Sequence, residues 1–518
     1  MEWSRSGRDA LLGDLRSFLD HEQWDDIAIL LDDYFFALSF AAPEAVFEVW
    51  ERAPREWLQE HPRYLMAREL TRKAWRSSAL TEHRIERIFA DWVASQEHPM
   101  ARDVLGVKTA EIRRLLAFGR IEEALGAVAE VQELIRTTRD HDGFDDVLGS
   151  VLMRMGLTFV AGGELERAVE AFSEGWRWSR STLPHPIAPY LAGHCALAHA
   201  LAGDFAHAEE WLARSVEDAS EDPRTMAFHL QKAAALSRTL IAVARLDRAE
   251  AEASLAEHAD RIDDGDLWWV DAHVRARIDL YWGDGTRSAR LIERALAAYP
   301  SATAPASLPG MLLRADLSDI LQHRGDLDRA GDVLEHVEIV DAHASAVTAQ
   351  ARLLMHRKRA GDALSLLDRA SARRRTPAVV PARWLVIRAN AAHLLERPSV
   401  VEVVRLAADR IASTGAHDAV HEAMPEVRAA IDERMPSAEA AVAEAAADDD
   451  DAAAPPEGAI ALTRRERQML ELMRTHASVR DLAGALFISA NTAKSHLRNL
   501  YRKLGATGRE DALRRAGY

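Results

Sequence analysis

Through the first 436 residues, apolar positions recur every three or four residues, and few stretches alternate in the two-residue rhythm of a strand. That period is helical, and the spacing predicts helix after helix with no sheet. A turn signal of the form Gly-x-x-x-x-Ala punctuates the pattern. It reads GRIEEA (Gly119, Ala124), GELERA (Gly163, Ala168), GDFAHA (Gly203, Ala208) and GDLDRA (Gly325, Ala330). Weaker copies are ARLDRA (Ala244, Ala249), KRAGDA (Lys358, Ala363) and WGDGTRSA around Gly283, which carries an extra residue. Successive marks lie 44, 40, 41, 39, 42 and 33 residues apart, room for two antiparallel helices per repeat. The glycine can end the first helix in a left-handed conformation. The alanine would sit where the second helix crosses too close for a larger side chain. QWDDIAILLDD near Trp24 and ERPSVVEVV near Glu396 are candidates for outer repeats.

The array resembles tetratricopeptide-type repeats, with a period longer than their usual length of about 34 residues. The concave face of such a superhelix is a binding surface for a peptide, a protein or a small effector. Trp176, Trp178, Trp268, Trp269 and Trp282 fall in the middle repeats, near Arg177, Arg180, Asp271, His273 and Arg275. They form the candidate effector pocket; the competing reading places them in the cores between repeats. His194, His199 and His207 show no metal-ligand spacing, and the single Cys195 reads as a small buried core residue. No nucleophile-base arrangement is visible, so neither catalysis, a cofactor nor a metal is expected.

At 437–460 the pattern collapses into an Ala-rich run, four aspartates at 448–451, then Pro455, Pro456 and Gly458. This predicts a flexible acidic linker. Beyond it the charge reverses. Residues 461–518 hold twelve Lys or Arg against five acids, a net +7 within a chain of −17, leaving −24 for the rest. A small basic unit attached to a large acidic one points to a polyanion partner for the tail alone.

The tail predicts four helices. Thr463 with Glu466, Ser478 with Asp481 and Thr507 with Glu510 have the spacing of capping boxes, and Ser489 can cap a third helix. Met469, Leu470 and Met473 line the first helix, and Leu482 and Leu486 the second. Ala493, Leu497, Leu500 and Leu504 line the third. Three residues, 487–489, separate the second helix from the third, which is the helix-turn-helix arrangement. The outer face of the third helix reads Asn491, Lys494, Ser495, Arg498 and Arg502, a stripe of donors able to enter a major groove.

Across 462–516 the segment resembles the LuxR-type (GerE-like) helix-turn-helix of bacterial regulators. The resemblance is carried by Leu462, Thr463, Arg465 and Glu466, by Leu-Phe-Ile-Ser at 486–489, and by Thr492, Lys494 and His496 within the recognition segment 492–496. Asn499, Leu500, Tyr501, Lys503, Leu504 and Gly505 complete it. It implies groove contacts by Lys494, Ser495 and Arg498, backbone-phosphate contacts by Thr492, His496 and Arg509, and a dimer contact through Ala512, Leu513 and Ala516. His476, Val479 and Ala493 depart from the family pattern without touching the groove stripe. Repeats followed by such a tail resemble the C-terminal half of the MalT-like regulators. Their ATP switch does not carry over, because the nearest fragment to a P-loop, LGVKTA at 105–110, lacks the first glycine and the Gly-Lys pair.

The N-terminus has no signal-peptide core and no apolar stretch reaches membrane-spanning length, so a cytoplasmic protein is expected. The expected fold class is all-α: a tetratricopeptide-like α-superhelix (1–436), a flexible linker (437–460) and a four-helix LuxR-type domain (461–518). The expected function is DNA-binding transcription regulation under the control of a small-molecule or protein effector on the repeats, by a homodimer or larger assembly. RNA polymerase is a further candidate partner, and no membrane is expected. The alternative is a repeat-based interaction scaffold with an auxiliary DNA-binding tail.

Overall fold

The computed structural model describes residues 5–76, 83–138, 144–181, 185–216, 232–257, 266–338, 342–373 and 380–435, and then 473, 497, 506 and 509–515. The chain divides into two units, Met1–Met435 and Pro436–Tyr518. Among the described residues every regular element is a helix. None of these helices is long and apolar enough to cross a membrane. The linker at 437–460 lies outside the described residues.

From Ala101 onward the helices come in pairs joined by short turns. Ala101–Ala117 is followed by Ile121–Thr137, Phe144–Ala161 by Leu165–Ser181, and so on to Ala382–Leu394 with Val400–Thr414. The turn signal explains the pairing. Gly119, Gly163, Gly203 and Gly325 take φ of +68°, +80°, +79° and +79°. At Gly163 the glycine N–H donates to the Val160 carbonyl, and the Glu164 N–H reaches back to Phe159. These two bonds satisfy carbonyls that the helix end would otherwise orphan. The same pair of bonds recurs at Glu22, Leu246, Lys358 and Glu396, which adopt positive φ without being glycine. Five residues beyond the left-handed residue, Ala124, Ala168, Ala208, Ala330 and Ala363 are each 0% exposed.

Two weak copies sit in a different register from the one their sequence suggests. In ARLDRA the left-handed residue is Leu246 rather than Ala244, and the buried alanine is Ala251 while Ala249 is exposed. The cause is the cap: Asp247 accepts the Glu250 N–H at 3.1 Å and so fixes where the second helix begins. In WGDGTRSA, Gly283 is extended and Gly285 carries the positive φ of +69°. A β-carbon on Gly285 would come within 2.5 Å of Ile320 Cγ2, so the position excludes a side chain on two counts.

First helices of the pairs are buried nearly all round, as Ala188–Ala202 and Leu308–His323 show, whereas second helices bury one face. The difference follows from how the coil closes on itself. Leu308–His323 touches Phe144–Ala161, Phe205–Val216 touches Val400–Thr414, and the 3-10 turn His417–Glu422 touches Lys232–Ala244. The last pair thus returns to the third and fourth, and little of the inner face is left open.

Ahead of the pairs, helices between Arg5 and Ser95 build their own cores, one around Leu15, Ile27, Leu38, Val49 and Trp50. The helix Trp24–Ala41 breaks at Tyr34, whose φ is −136°. The break frees the N–H groups of Phe36 and Ala37. Both donate to the Asp146 carboxylate of helix Phe144–Ala161, at 2.7 and 2.8 Å, and this docks the N-terminal helices on the repeats.

Candidate functional site

Inside the coil, several charged residues stand at buried or half-buried positions of the first helices of their pairs. Arg277 lies on Trp268–Trp282, Asp319 on Leu308–His323, Arg352 on Ala344–His356 and Arg383 on Ala382–Leu394. The turn His417–Glu422 supplies Asp418 and Glu422 from the far end of the unit. Arg352 grips Glu422 with two parallel bonds, Nε to Oε2 at 2.7 Å and an Nη to Oε1 at 2.6 Å, and also binds Asp319. Arg277 donates to the other Asp319 oxygen at 3.3 Å and to the Tyr281 hydroxyl at 3.0 Å. Tyr281 in turn donates to Asp418 at 3.1 Å, and Arg383 binds both of them. Beside them His273 Nδ1 sits 2.6 Å from Asp316.

The site is electrostatically matched. Buried charges of this kind persist only when paired and hydrogen-bonded, and here each guanidinium meets a carboxylate. Burial opposes ionisation of Glu422, but Arg352 and Arg383 outweigh it and hold the carboxyl below its usual range. Burial pushes the Tyr281 hydroxyl up to about 12, so it stays a neutral donor. A cleft of about 100 Å³ opens onto this network, lined also by Gly203, Phe205, His343, Ser345 and Thr348. Its lining of Arg277, Arg352 and Arg383 beside Asp316, Asp319 and Asp418 suits a small polar group.

The sequence offered a different pocket, and the structure does not assemble it. Trp269 is buried in the main core, and Trp176, Trp178 and Trp268 pack against that core. Trp176 meets Trp211 edge to face, Trp268 leans on Tyr299, and Trp282 packs in a separate small cluster with Val243 and Ala251. None of the five lines the polar cleft. The core reading is therefore the one that matches their surroundings. Of the residues named near them, only His273 reaches the cleft. His194 and Cys195 are core residues too: burial lowers the His194 imidazole to about 4 and raises the Cys195 thiol.

Sequence reasoning passed over the cleft because its partners lie far apart in the chain, Tyr281 and Asp418 by 137 positions. The available signal was local: Arg277 and Asp319 are charged residues at positions where their helices are buried on every side. It also found no metal-ligand spacing in His199 and His207, which the structure brings together with Asp204 at one helix-pair turn.

In the C-terminal unit, Met473, Leu497 and Ala512 are buried. Helix Arg509–Arg515 is tied down at its start, where the Arg509 guanidinium donates to the Met473 carbonyl. Arg509, named above for phosphate contact, is thus engaged within its own module. Ala512 is buried, and Leu513 is half-buried. Asn491, Thr492, Lys494, Ser495, His496, Arg498, Arg502 and Ala516 lie outside the described residues. The family of bacterial regulatory proteins, luxR family (GerE), matches residues 461–516. The C-terminal segment is a luxR-family helix-turn-helix domain.

Proposed function

We propose that the protein is a transcription regulator that reads double-stranded DNA through the third helix of its luxR-family domain and is governed by a small polar effector in the repeat cleft. The observation that carries the first half is the family match over 461–516, a domain class that binds DNA. Lys494, Ser495 and Arg498 are the base-edge readers, and Asn491 and Arg502 extend the same donor stripe. Thr492 and His496 hold the phosphate backbone. A homodimer places two tails on paired half-sites. Leu513 and Ala516 are its candidate contacts, and RNA polymerase is a candidate partner once the dimer is bound. On this reading the protein works in the cytoplasm and catalyses nothing.

The cleft supports the second half. An effector bearing a carboxylate or hydroxyls would compete for Arg383, Arg352 or Arg277, which line the cleft. It would thereby shift the turn that carries Asp418 and Glu422. Such a ligand acts only if it prefers one arrangement of that turn over the other.

The test is a pull-down of sheared genomic DNA with full-length protein at several salt concentrations, beside the Lys494→Ala/Arg498→Ala double variant. A shared, near-palindromic motif enriched by the parent and lost in the variant supports the reading. Equal enrichment by both proteins would sink it and leave the interaction scaffold as the better account.

A further inference from the structure

At the third helix pair, two imidazoles and a carboxylate converge. His199 stands near the end of helix Ala188–Ala202, Asp204 in the turn, and His207 in the first turn of Phe205–Val216. The Asp204 Oδ2 atom lies 2.8 Å from His207 Nδ1 and 3.5 Å from His199 Nδ1. One ligand atom from each of the three residues falls within 4.8 Å of the others. The imidazole rings stack, with centroids 5.4 Å apart and planes inclined by 22°. We infer that this turn is a binding site for a divalent transition-metal ion of the zinc class.

The distances fit. Zinc bonds of about 2.0–2.2 Å at tetrahedral angles separate neighbouring ligand atoms by roughly 3.3 Å. The two contacts to Asp204 bracket that value, and one nitrogen from each imidazole lies within 4.8 Å of the other. Two nitrogens with one carboxylate oxygen favour zinc, nickel or copper over magnesium or calcium, which take oxygen-rich sets. His199 and Asp204 are largely shielded while His207 is 58% exposed, so the fourth position faces solvent and is free for water or an external ligand.

Holding the turn together does not require the imidazoles. Asp204 caps its helix with its other oxygen, Oδ1, which accepts the His207 N–H at 3.3 Å. The equivalent caps elsewhere work without histidine. Asp247 is flanked at the matching positions by Ala242 and Glu250, and Asp326 by Leu321 and Arg329. At the pair before, Glu164 has Phe159 and Arg167 in those places. Only at 199–207, among these turns, does the spare carboxylate oxygen meet two potential nitrogen ligands. A bound ion would clamp Ala188–Ala202 to Phe205–Val216, the helix that touches Val400–Thr414 where the coil closes.

The experiment uses untagged full-length protein, stripped with chelator and titrated with zinc chloride against a chromophoric chelator, then with cobalt. One bound equivalent, with the visible absorption of tetrahedral cobalt, is expected for the parent. In the His199→Ala/His207→Ala variant that equivalent disappears, while circular dichroism and the melting temperature in EDTA match the parent. If the double variant does not fold, His207→Gln, a change at an exposed ring, must lose the equivalent and the cobalt band. A parent that binds no stoichiometric metal, or a folded variant that keeps the same equivalent, overturns the assignment. The readout is metal alone, so it is independent of whether the tail binds DNA.

Discussion

Asp146 caps a helix that it does not belong to: its carboxylate accepts the Phe36 N–H at 2.7 Å across 110 positions of chain. The acceptor lies in the second repeat-like pair and the donor at a break in the second helix of the N-terminal region. His185 approaches the same carboxylate at 3.3 Å. One buried side chain therefore fixes both the broken helix and the docking of the N-terminal helices.

Replacing Asp146 with alanine should cost about 2 kcal/mol, because one buried amide, one part-buried amide and an imidazole lose their acceptor together. Urea unfolding measures this. Asp146→Asn should recover part of the loss by keeping one acceptor oxygen. A variant that unfolds like the parent would refute the capping role.

Lys358 is exposed and held at a φ of +59°, a conformation that costs a non-glycine residue about 1 kcal/mol. Lys358→Gly should raise the melting temperature. Leu246→Gly should gain less, since the Leu246 side chain is half-buried and would be lost. Calorimetry on the two variants separates strain relief from packing loss.

The register of the fourth pair can be checked by size. Ala251 is 0% exposed against its partner helix, so Ala251→Leu should overpack the crossing and cost about 3 kcal/mol. Ala249→Leu, on the exposed face, should stay within about 0.5 kcal/mol of the parent. The reverse order would restore the register that ARLDRA suggests.

Burial holds the His194 imidazole at about 4 in the fold, below its ordinary 6.5, despite the hydrogen bond to the Tyr190 carbonyl. Between those values the unfolded chain binds a proton that the folded chain refuses. Stability is therefore full above pH 6.5 and declines as pH falls toward 4. His194→Gln should flatten that part of the stability profile. An unchanged slope would mean that other groups carry it.

How much the sequence discloses depends on how local the determinant is. Gly163 with Ala168 is legible because turn chemistry and close packing act within six residues. The fourth pair misleads because Leu246 occupies a left-handed position that usually announces itself with glycine, and only the Asp247 cap reveals the true start. The tryptophans mislead for another reason: neighbours in sequence, such as Trp268 and Trp269, point to different surroundings on one helix. Tyr281 meets Arg383 and Asp418 only through the closure of the coil, which no local pattern encodes. The tail is the opposite case, since its order of residues alone identifies the domain that the luxR-family match covers.

An open solenoid can gain or lose a unit during evolution, since each unit touches only its neighbours. This coil has given up that freedom. Asp418 must arrive opposite Tyr281, 137 positions earlier, and Val400–Thr414 opposite Phe205–Val216, after a fixed number of turns, so a pair inserted or deleted between them would pull these contacts apart. Change is instead channelled into point substitutions and into the outer helices, and the repeat count behaves as a property of the whole unit.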